Sequence, residues 1–304
     1  MEDKYYIELK NNFLDDEIYS RVKDYSKERH KIETYYTNGK ILNEAGKHYG
    51  EDIIGKYSEK LMIEVGRKYD KSTLFRIRKF YLVFSDKKVA PLVPQLTWSH
   101  CLVLLPIKDI NKINYYINQT SLRNLSKRQL QEIIKSNEYE RLPEETKNKI
   151  ITQEKSNITD YIKNPIIIRN TNNYEFISEK ILQRIILEDI ENFMKELGTS
   201  FCFIGSEYPI KLGNRYNYID LLLYNIKYRC YVVIELKVIE LKKKHIGQIE
   251  VYMNYIDQNI KSFDDNKTVG IIICKKDNHY VIEYCSNKNI ITREYAIKKE
   301  LDLV

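Results

Sequence analysis

Apolar residues in the first 160 positions recur at three- and four-residue spacing with few strict alternations, so this half of the chain is predicted to be mainly α-helical. Within it Ser58 to Val65 (SEKLMIEV) runs into Gly66 and a polar turn, RKYD. Ser72 is then placed to cap a second helix, STLFRIRKFYLVF. On that helix Leu74, Ile77 and Tyr81 share a face suited to a core, while Thr73, Arg76 and Lys79 point outward alongside Lys71 and Arg78. Such a helix, Gly-bearing turn, helix arrangement predicts one of two things: a helix-turn-helix offering basic side chains to a duplex, or a plain helical hairpin with a solvated basic face. Pro91 and Pro94 interrupt the pattern before QLTWSHCLVLLPIKD. There Ser99 and His100 invite a nucleophile-and-base reading, but neighbours on a helix point about 100° apart. A helix start capped by Thr97 or Ser99, with Trp98 packed inward, explains the segment better.

From residue 166 the pattern changes. After III at 166–168 comes an amphipathic segment, Ser178 to Leu197, closed by Gly198 as a helix is expected to be. Strand-like runs follow: FCFIG, Tyr208 to Leu212, YIDLLLY, CYVVIELKV and, after a helical stretch from about Lys242 to Ile260, VGIIIC. Helix, antiparallel strands, helix, strand is an α/β layout. The polar stretch from Ser136 to Lys163 marks the connection, giving a helical domain over 1–160 and an α/β domain over 161–304.

Composition narrows the reading. The 304 residues carry a net charge of +7, with 43% hydrophobic and 31% charged residues, and no uncharged apolar run approaches the roughly 18 residues needed to span a bilayer. The amino terminus lacks the basic-then-apolar order of a secretory signal, so the expectation is a cytoplasmic protein with no membrane association. Residues 1–163 hold 30 Lys+Arg against 24 Asp+Glu, while 164–304 hold 20 against 19, so the positive excess sits in the helical half. A basic surface suits nucleic acid through counterion release, although lysine-rich coding bias gives the same count. The cysteines Cys101, Cys202, Cys230, Cys274 and Cys285 are odd in number and mostly lie in apolar runs, which predicts reduced core thiols. The five histidines are scattered without metal spacing, which argues against structural zinc.

Two acids interrupt otherwise apolar strands: Asp220 in YNYIDLLLY and Glu235 in CYVVIELKV. A buried strand charge is costly unless it is paired or metal-bound. Side chains alternate along a strand, so Glu235 and Lys237 share a face. If NIKYR closes a hairpin centred between Lys227 and Tyr228, Asp220 lies opposite Glu235, with Cβ atoms roughly 5 Å apart. A divalent cation between them would relieve their repulsion, and Lys237 beside it could orient a water or stabilise developing negative charge. An inert Glu-Lys-Asp ion network on a half-exposed sheet fits the spacing equally well.

The segments FCFIGSEYPI, YNYIDLLLYNIKYRCYVVIELKV, GQIEVYMNYID and VGIIIC together resemble the C-terminal domain of the bacterial YhcG-like branch of the PD-(D/E)XK nuclease superfamily. YGEDIIGKYSEKLMIEVGRKY, FRIRKFYLVF and LTWSHCLVLLPIKD resemble its N-terminal half. The resemblance implies a restriction-endonuclease-like α/β domain, with a mixed central sheet flanked by helices, after a mainly helical, winged-helix-like DNA-binding domain. It implies a Mg²⁺- or Mn²⁺-dependent DNA endonuclease, with roles in genome defence, mobile-element biology or DNA processing. Asp220 and Glu235 match its metal-binding carboxylates, Lys237 its catalytic lysine, and Gln248 a polar residue on the following helix. Where the superfamily often places a first-helix acid this chain has Gln183, which leaves Glu179, Glu188 or no helix residue to complete the site. Lys71, Thr73, Arg76, Arg78 and Lys79 become candidate DNA contacts, as do Tyr218, Lys242, Lys243 and Lys244 near the strands, where a surface tyrosine and a solvated helix start explain them as well. The competing expectation is a weak or inactive nuclease-fold protein that binds DNA as a regulator; an RNA-cleaving enzyme would use the same residues. Cutting both strands with one site per chain calls for a homodimer.

Overall fold

The computed structural model describes residues 3–20, 26–86, 95–152, 154, 157–283 and 285–299. They form two compact units, Met1–Tyr139 and Glu140–Val304, so the division falls earlier than the expected boundary at 160. The reason lies in residues 140–163, whose polar groups are bound by the second unit. Arg141 forms a two-pronged ion pair with Glu196 and donates to Pro165 O. Arg293 donates to the carbonyls of Thr159 and Ile162.

The described residues of the first unit are helical: α1 (Lys4–Ser20), α2 (Ser26–Tyr49), α3 (Asp52–Glu64), α4 (Lys71–Phe84), α5 (Trp98–Leu104), α6 (Ile110–Arg123) and α7 (Lys127–Lys135). No strand occurs among them, so the β-hairpin of a winged helix is not among the described residues; 87–94, including Pro91 and Pro94, lie outside that set. The helix, turn, helix pair is present as α3 and α4. Its cap differs from the expected Ser72: Asp70, with extended backbone, accepts the N–H of Thr73, so the helix begins earlier. Leu74, Ile77, Phe80 and Phe84 form the buried stripe of α4, with Tyr81 half-buried at its margin. Thr97 caps α5 and His100 closes the reciprocal bond to the Thr97 N–H, which accounts for the Ser99-His100 neighbourhood without catalysis. Trp98 meets Tyr35 and Phe80 edge-on, at ring separations of 4.8 and 5.4 Å.

Helices α2 and α4 touch backbone to backbone at Gly39. A Cβ there would sit 2.5 Å from Ile77 O and 2.6 Å from Tyr81 Cβ, so only glycine permits this approach.

The second unit opens with α8 (Glu144–Thr152) and β1 (Ile166–Asn170). The expected single helix over 178–197 is two, α9 (Glu179–Glu188) and α10 (Ile190–Leu197). They part at Asp189, whose φ of −133° and ψ of 48° leave the helical region and whose carboxylate takes up the Asn192 side chain. Gly198 ends α10 with φ 125°, as its residue type predicts. The two strand runs at 201–205 and 208–212 are one strand, β2 (Phe201–Leu212), followed by β3 (Arg215–Asn225), β4 (Cys230–Glu240), α11 (Lys243–Asn259), β5 (Val269–Lys276) and β6 (Ile290–Lys299). The sheet runs β1-β6-β5-β4-β3-β2, antiparallel through β2, β3 and β4 and parallel from β4 to β1. That is a mixed sheet with helices on both faces, consistent with a restriction-endonuclease-like fold. Leu182, Ile185, Ile186 and Phe193 of α9 and α10 cover one face, and Ile249, Met253 and Ile256 of α11 cover the other. Of the cysteines, Cys101, Cys230 and Cys274 are buried as expected, whereas Cys202 is exposed because β2 is the sheet edge. No helix among the described residues is long and apolar enough to cross a membrane.

Substituting Gly39→Ala should force α2 and α4 apart and destabilise the first unit by about 1–3 kcal/mol, the usual cost of overpacking. Thermal denaturation followed by circular dichroism measures it; an unchanged melting temperature would show that the helices can separate freely.

Candidate active site

The hairpin of β3 and β4 pairs Leu221↔Ile234 through Asn225↔Cys230, the register expected from a turn centred between Lys227 and Tyr228. The ladder stops one rung short of Asp220 and Glu235. In place of that rung the Asp220 carboxylate accepts the backbone N–H of Leu236 at 2.7 Å. Strand alternation also breaks there: Ile219 packs in the α11 core, whereas Leu221, two residues on, packs in the α9 core. The sheet therefore opens at this point, with a helix on each side.

Each helix sends an amide into the opening. From α9, Gln183 Nε2 donates to Asp220 O at 2.9 Å. From α11, Gln248 Nε2 donates to Glu235 Oε2 and to the Tyr252 hydroxyl, both at 3.1 Å. Lys237 Nζ reaches Glu235 Oε2 at 3.2 Å, Leu236 O at 3.0 Å and Glu179 at 3.7 Å. Asp220, Glu235, Lys237 and Gln248 are thus gathered in one place. Of the helix acids considered, Glu179 stands beside the lysine, whereas Glu188 is engaged by the Tyr174 hydroxyl. Tyr252 was not singled out in the sequence; its place one helical turn after Gln248 is the signal that would have found it.

The electrostatics follow from burial. Glu235 is 1% exposed, and desolvation, with the Asp220 charge next, pushes its carboxyl up to about 7; Lys237 and the Asp220 N–H pull the other way without restoring the usual range. Its Oε1 has no hydrogen-bond partner of ordinary geometry. Asp220 is raised too, first by burial, against the Leu236 N–H and Lys237. For Lys237, burial alone would lower the pKa, but the carboxylates of Glu235, Asp220 and Glu179 outweigh it and hold the ammonium above its usual value.

Lys242, Lys243 and Lys244 are exposed where α11 begins, and the Lys242 N–H donates to His245 Nδ1. Tyr218 is exposed on β3. On α4, Arg76 and Lys79 are exposed, whereas Arg78 is held two-pronged by Glu51, Thr73 gives its N–H to the Asp70 cap, and Lys71 leans toward the Phe75 ring.

Two family models match the chain: the YhcG PDDEXK nuclease domain over residues 159–303, and the DUF1016 N-terminal domain over residues 21–141. The chain thus resembles the YhcG branch of the PD-(D/E)XK nucleases, with the nuclease-domain match over its second half and the N-terminal match over its first. It is 24% identical to the YhcG protein of Escherichia coli (strain K12) over 295 residues, 84% of this chain and 78% of that one. Two solved structures, a repair endonuclease from Pyrococcus abyssi and an EndoMS complex with double-stranded DNA, align at 16% identity over 42% of this chain. The alignments cover 49% and 48% of those chains, about half their length, with TM-scores of 0.28 and 0.29. At such scores the likeness adds nothing to the reading of this fold.

The raised Glu235 carboxyl has a sign that can be tested. Its folded pKa of about 7 exceeds its usual 4.5, so between these values the unfolded chain releases a proton that the folded chain keeps. In EDTA the protein should lose stability as pH rises from about 4.5 to about 7 through this group. Glu235→Gln should flatten that part of the profile and melt a few degrees higher at neutral pH. Parallel profiles for the two proteins would contradict the assignment.

Proposed function

We propose that this chain is a metal-dependent nuclease that hydrolyses phosphodiester bonds in DNA, with Asp220 and Glu235 holding a divalent cation, Mg²⁺ or Mn²⁺. The observation that carries the reading is Glu235 Oε1, a buried carboxylate oxygen with no hydrogen-bond donor of ordinary geometry, next to the half-buried carboxylate of Asp220. Oxygen donors of this kind suit a hard cation. Among the described residues no three of His, Cys, Asp and Glu converge closely enough to hold a metal by themselves. This fits Mg²⁺, which binds through one or two carboxylates and keeps several waters. A bound cation would supply Lewis acidity at a phosphoryl oxygen and lower the pKa of a water.

The chain's own residues supply the rest. Because its neighbours hold Lys237 protonated, it acts as a hydrogen-bond donor, not as a base. Anchored by Leu236 O and Glu235, its ammonium can steady the attacking oxygen or the charge that grows on the phosphoryl group. Gln248 fixes the Glu235 carboxylate, and Gln183 fixes the backbone of Asp220. Glu179, one turn before Gln183, takes the place of the helix acid and balances the Lys237 charge.

The first unit is read as the DNA-binding part, a helix-turn-helix of winged-helix type in which α4 meets the duplex through the exposed cations Lys71, Arg76 and Lys79. Double-strand cutting would then require a homodimer. A second reading, a nuclease fold that binds DNA with little turnover, is favoured by one observation: Gln183 spends its amide on Asp220 O and presents no carboxylate.

Two experiments separate these readings. Supercoiled, linear and branched DNA incubated with the purified protein and Mg²⁺ or Mn²⁺ should be cut. Asp220→Ala and Lys237→Ala should each reduce the rate at least about a hundredfold, the scale expected for losing an electrostatic stabiliser. Cutting at equal rates by all three proteins would remove this site from the reaction, and metal-independent DNA binding without cutting would favour the second reading. In gel-shift titrations, Arg76→Ala and Lys79→Ala should each weaken DNA binding across sequences and reduce the salt slope by about 1. Unchanged slopes would place the DNA elsewhere.

A further inference from the structure

The opening at Asp220 has a counterpart on the neighbouring strand. Strand β2 pairs with β3 at Ser206↔Leu221 and again at Tyr208↔Ile219, while the rung between them, Glu207 opposite Asp220, is missing from the ladder. Glu207 has φ 46°, a left-handed backbone in mid-strand that residues other than glycine rarely adopt. Both strands therefore depart from regular geometry at the same rung, and both residues of that rung are carboxylates. Left-handed non-glycine residues persist where the surroundings over-determine them, often at functional sites.

Glu207 also shares a space with the site. It lines a cavity of about 480 Å³ together with Lys180, Gln183 and Arg184 of α9. Gln183 is the residue whose amide holds Asp220 O. Glu207 is exposed, and its charge is among those acting on Asp220. Glu235 Oε1, on a side chain almost wholly buried, has no donor of ordinary geometry, which leaves it open to a cation. The described residues hold no cluster of three acids close enough to ligate a metal together, so Glu207 does not stand as a third direct ligand. A carboxylate just beyond the ligands acts by accepting hydrogen bonds from cation-bound water and so tunes affinity.

We propose that Glu207 is a positioning residue of the cation site, holding water on a cation bound at Asp220 and Glu235. The inference rests on the cation-site reading above.

Mn²⁺ titrated calorimetrically into the full chain without nucleic acid tests it, using Glu235→Gln, Glu207→Gln and Glu207→Gly beside the wild type. The wild type should bind saturably, and Glu235→Gln should abolish binding. Glu207→Gln and Glu207→Gly should both weaken it about tenfold. The glycine variant, free to adopt the left-handed backbone, should at the same time melt at or above the wild-type temperature, which separates loss of the carboxylate from loss of the fold. Water-proton relaxation at bound Mn²⁺ should change in both Glu207 variants, since it reads the waters directly. Wild-type affinity in Glu207→Gln, or affinity lost in the glutamine variant but restored in the glycine variant, would overturn the proposal while leaving the cation site intact. No saturable Mn²⁺ binding by the wild type would overturn both.

Discussion

Two like charges held out of water decide the character of the second unit. Setting the half-buried Asp220 beside the buried Glu235 works against folding, and the fold meets that cost only in part. Lys237 lies against Glu235, the Leu236 N–H takes one oxygen of Asp220, and Gln248 takes one oxygen of Glu235. One oxygen, Glu235 Oε1, stays without a donor of ordinary geometry. A sheet built only for stability would place leucine or valine at these positions, as it does at Leu221, Leu223, Val232 and Ile234 on either side.

The arrangement depends on the sheet being interrupted at one level. Where β3 and β4 are fully paired, side chains alternate cleanly between the two helical layers. Where pairing stops, backbone groups are released, and amides from α9 and α11 reach in from opposite sides. Loss of regularity and gain of polar groups are the same event, because an unpaired strand end is the one place in a covered sheet where buried charge can find donors. The lysine follows for the same reason: two residues after Glu235 on the same strand face, it arrives at the opening already aligned.

Much of this was legible in the chain. Near-continuous apolar runs with a single acid in each pointed to β3, β4 and their register, because a hairpin turn fixes every pair that follows it. The helical first half was equally clear from its spacing. Other features depend on competition between neighbours. Asp70 beats Ser72 as a cap, and Asp189 divides a helix that its apolar stripe alone would have continued. The exposure of Cys202 follows from β2 being an edge strand, a fact of strand order that local sequence does not carry. Arg78 reads as a free basic residue in the sequence and is held by Glu51, 27 positions earlier in the chain. Between the two helix acids the sequence left open, folding decides which stands by Lys237: α9 brings Glu179 there, while Glu188 meets Tyr174.

The link between Arg141 and Glu196 bears on how this protein can be divided. Glu196 also accepts the N–H of Ile167, at the start of β1, so one carboxylate ties the stretch after Tyr139 to α10 and to the first strand of the sheet. Arg141 and Glu196 are only 10% and 16% exposed at their side chains. A fragment begun at residue 161 would carry Asp220, Glu235, Lys237 and Gln248, yet it would leave Glu196 half-buried without its Arg141 partner, a loss on the order of 3–5 kcal/mol for a buried pair. Residues 140–160 thus behave less as a tether than as the clasp of the nuclease domain, and the natural place to cut is before them.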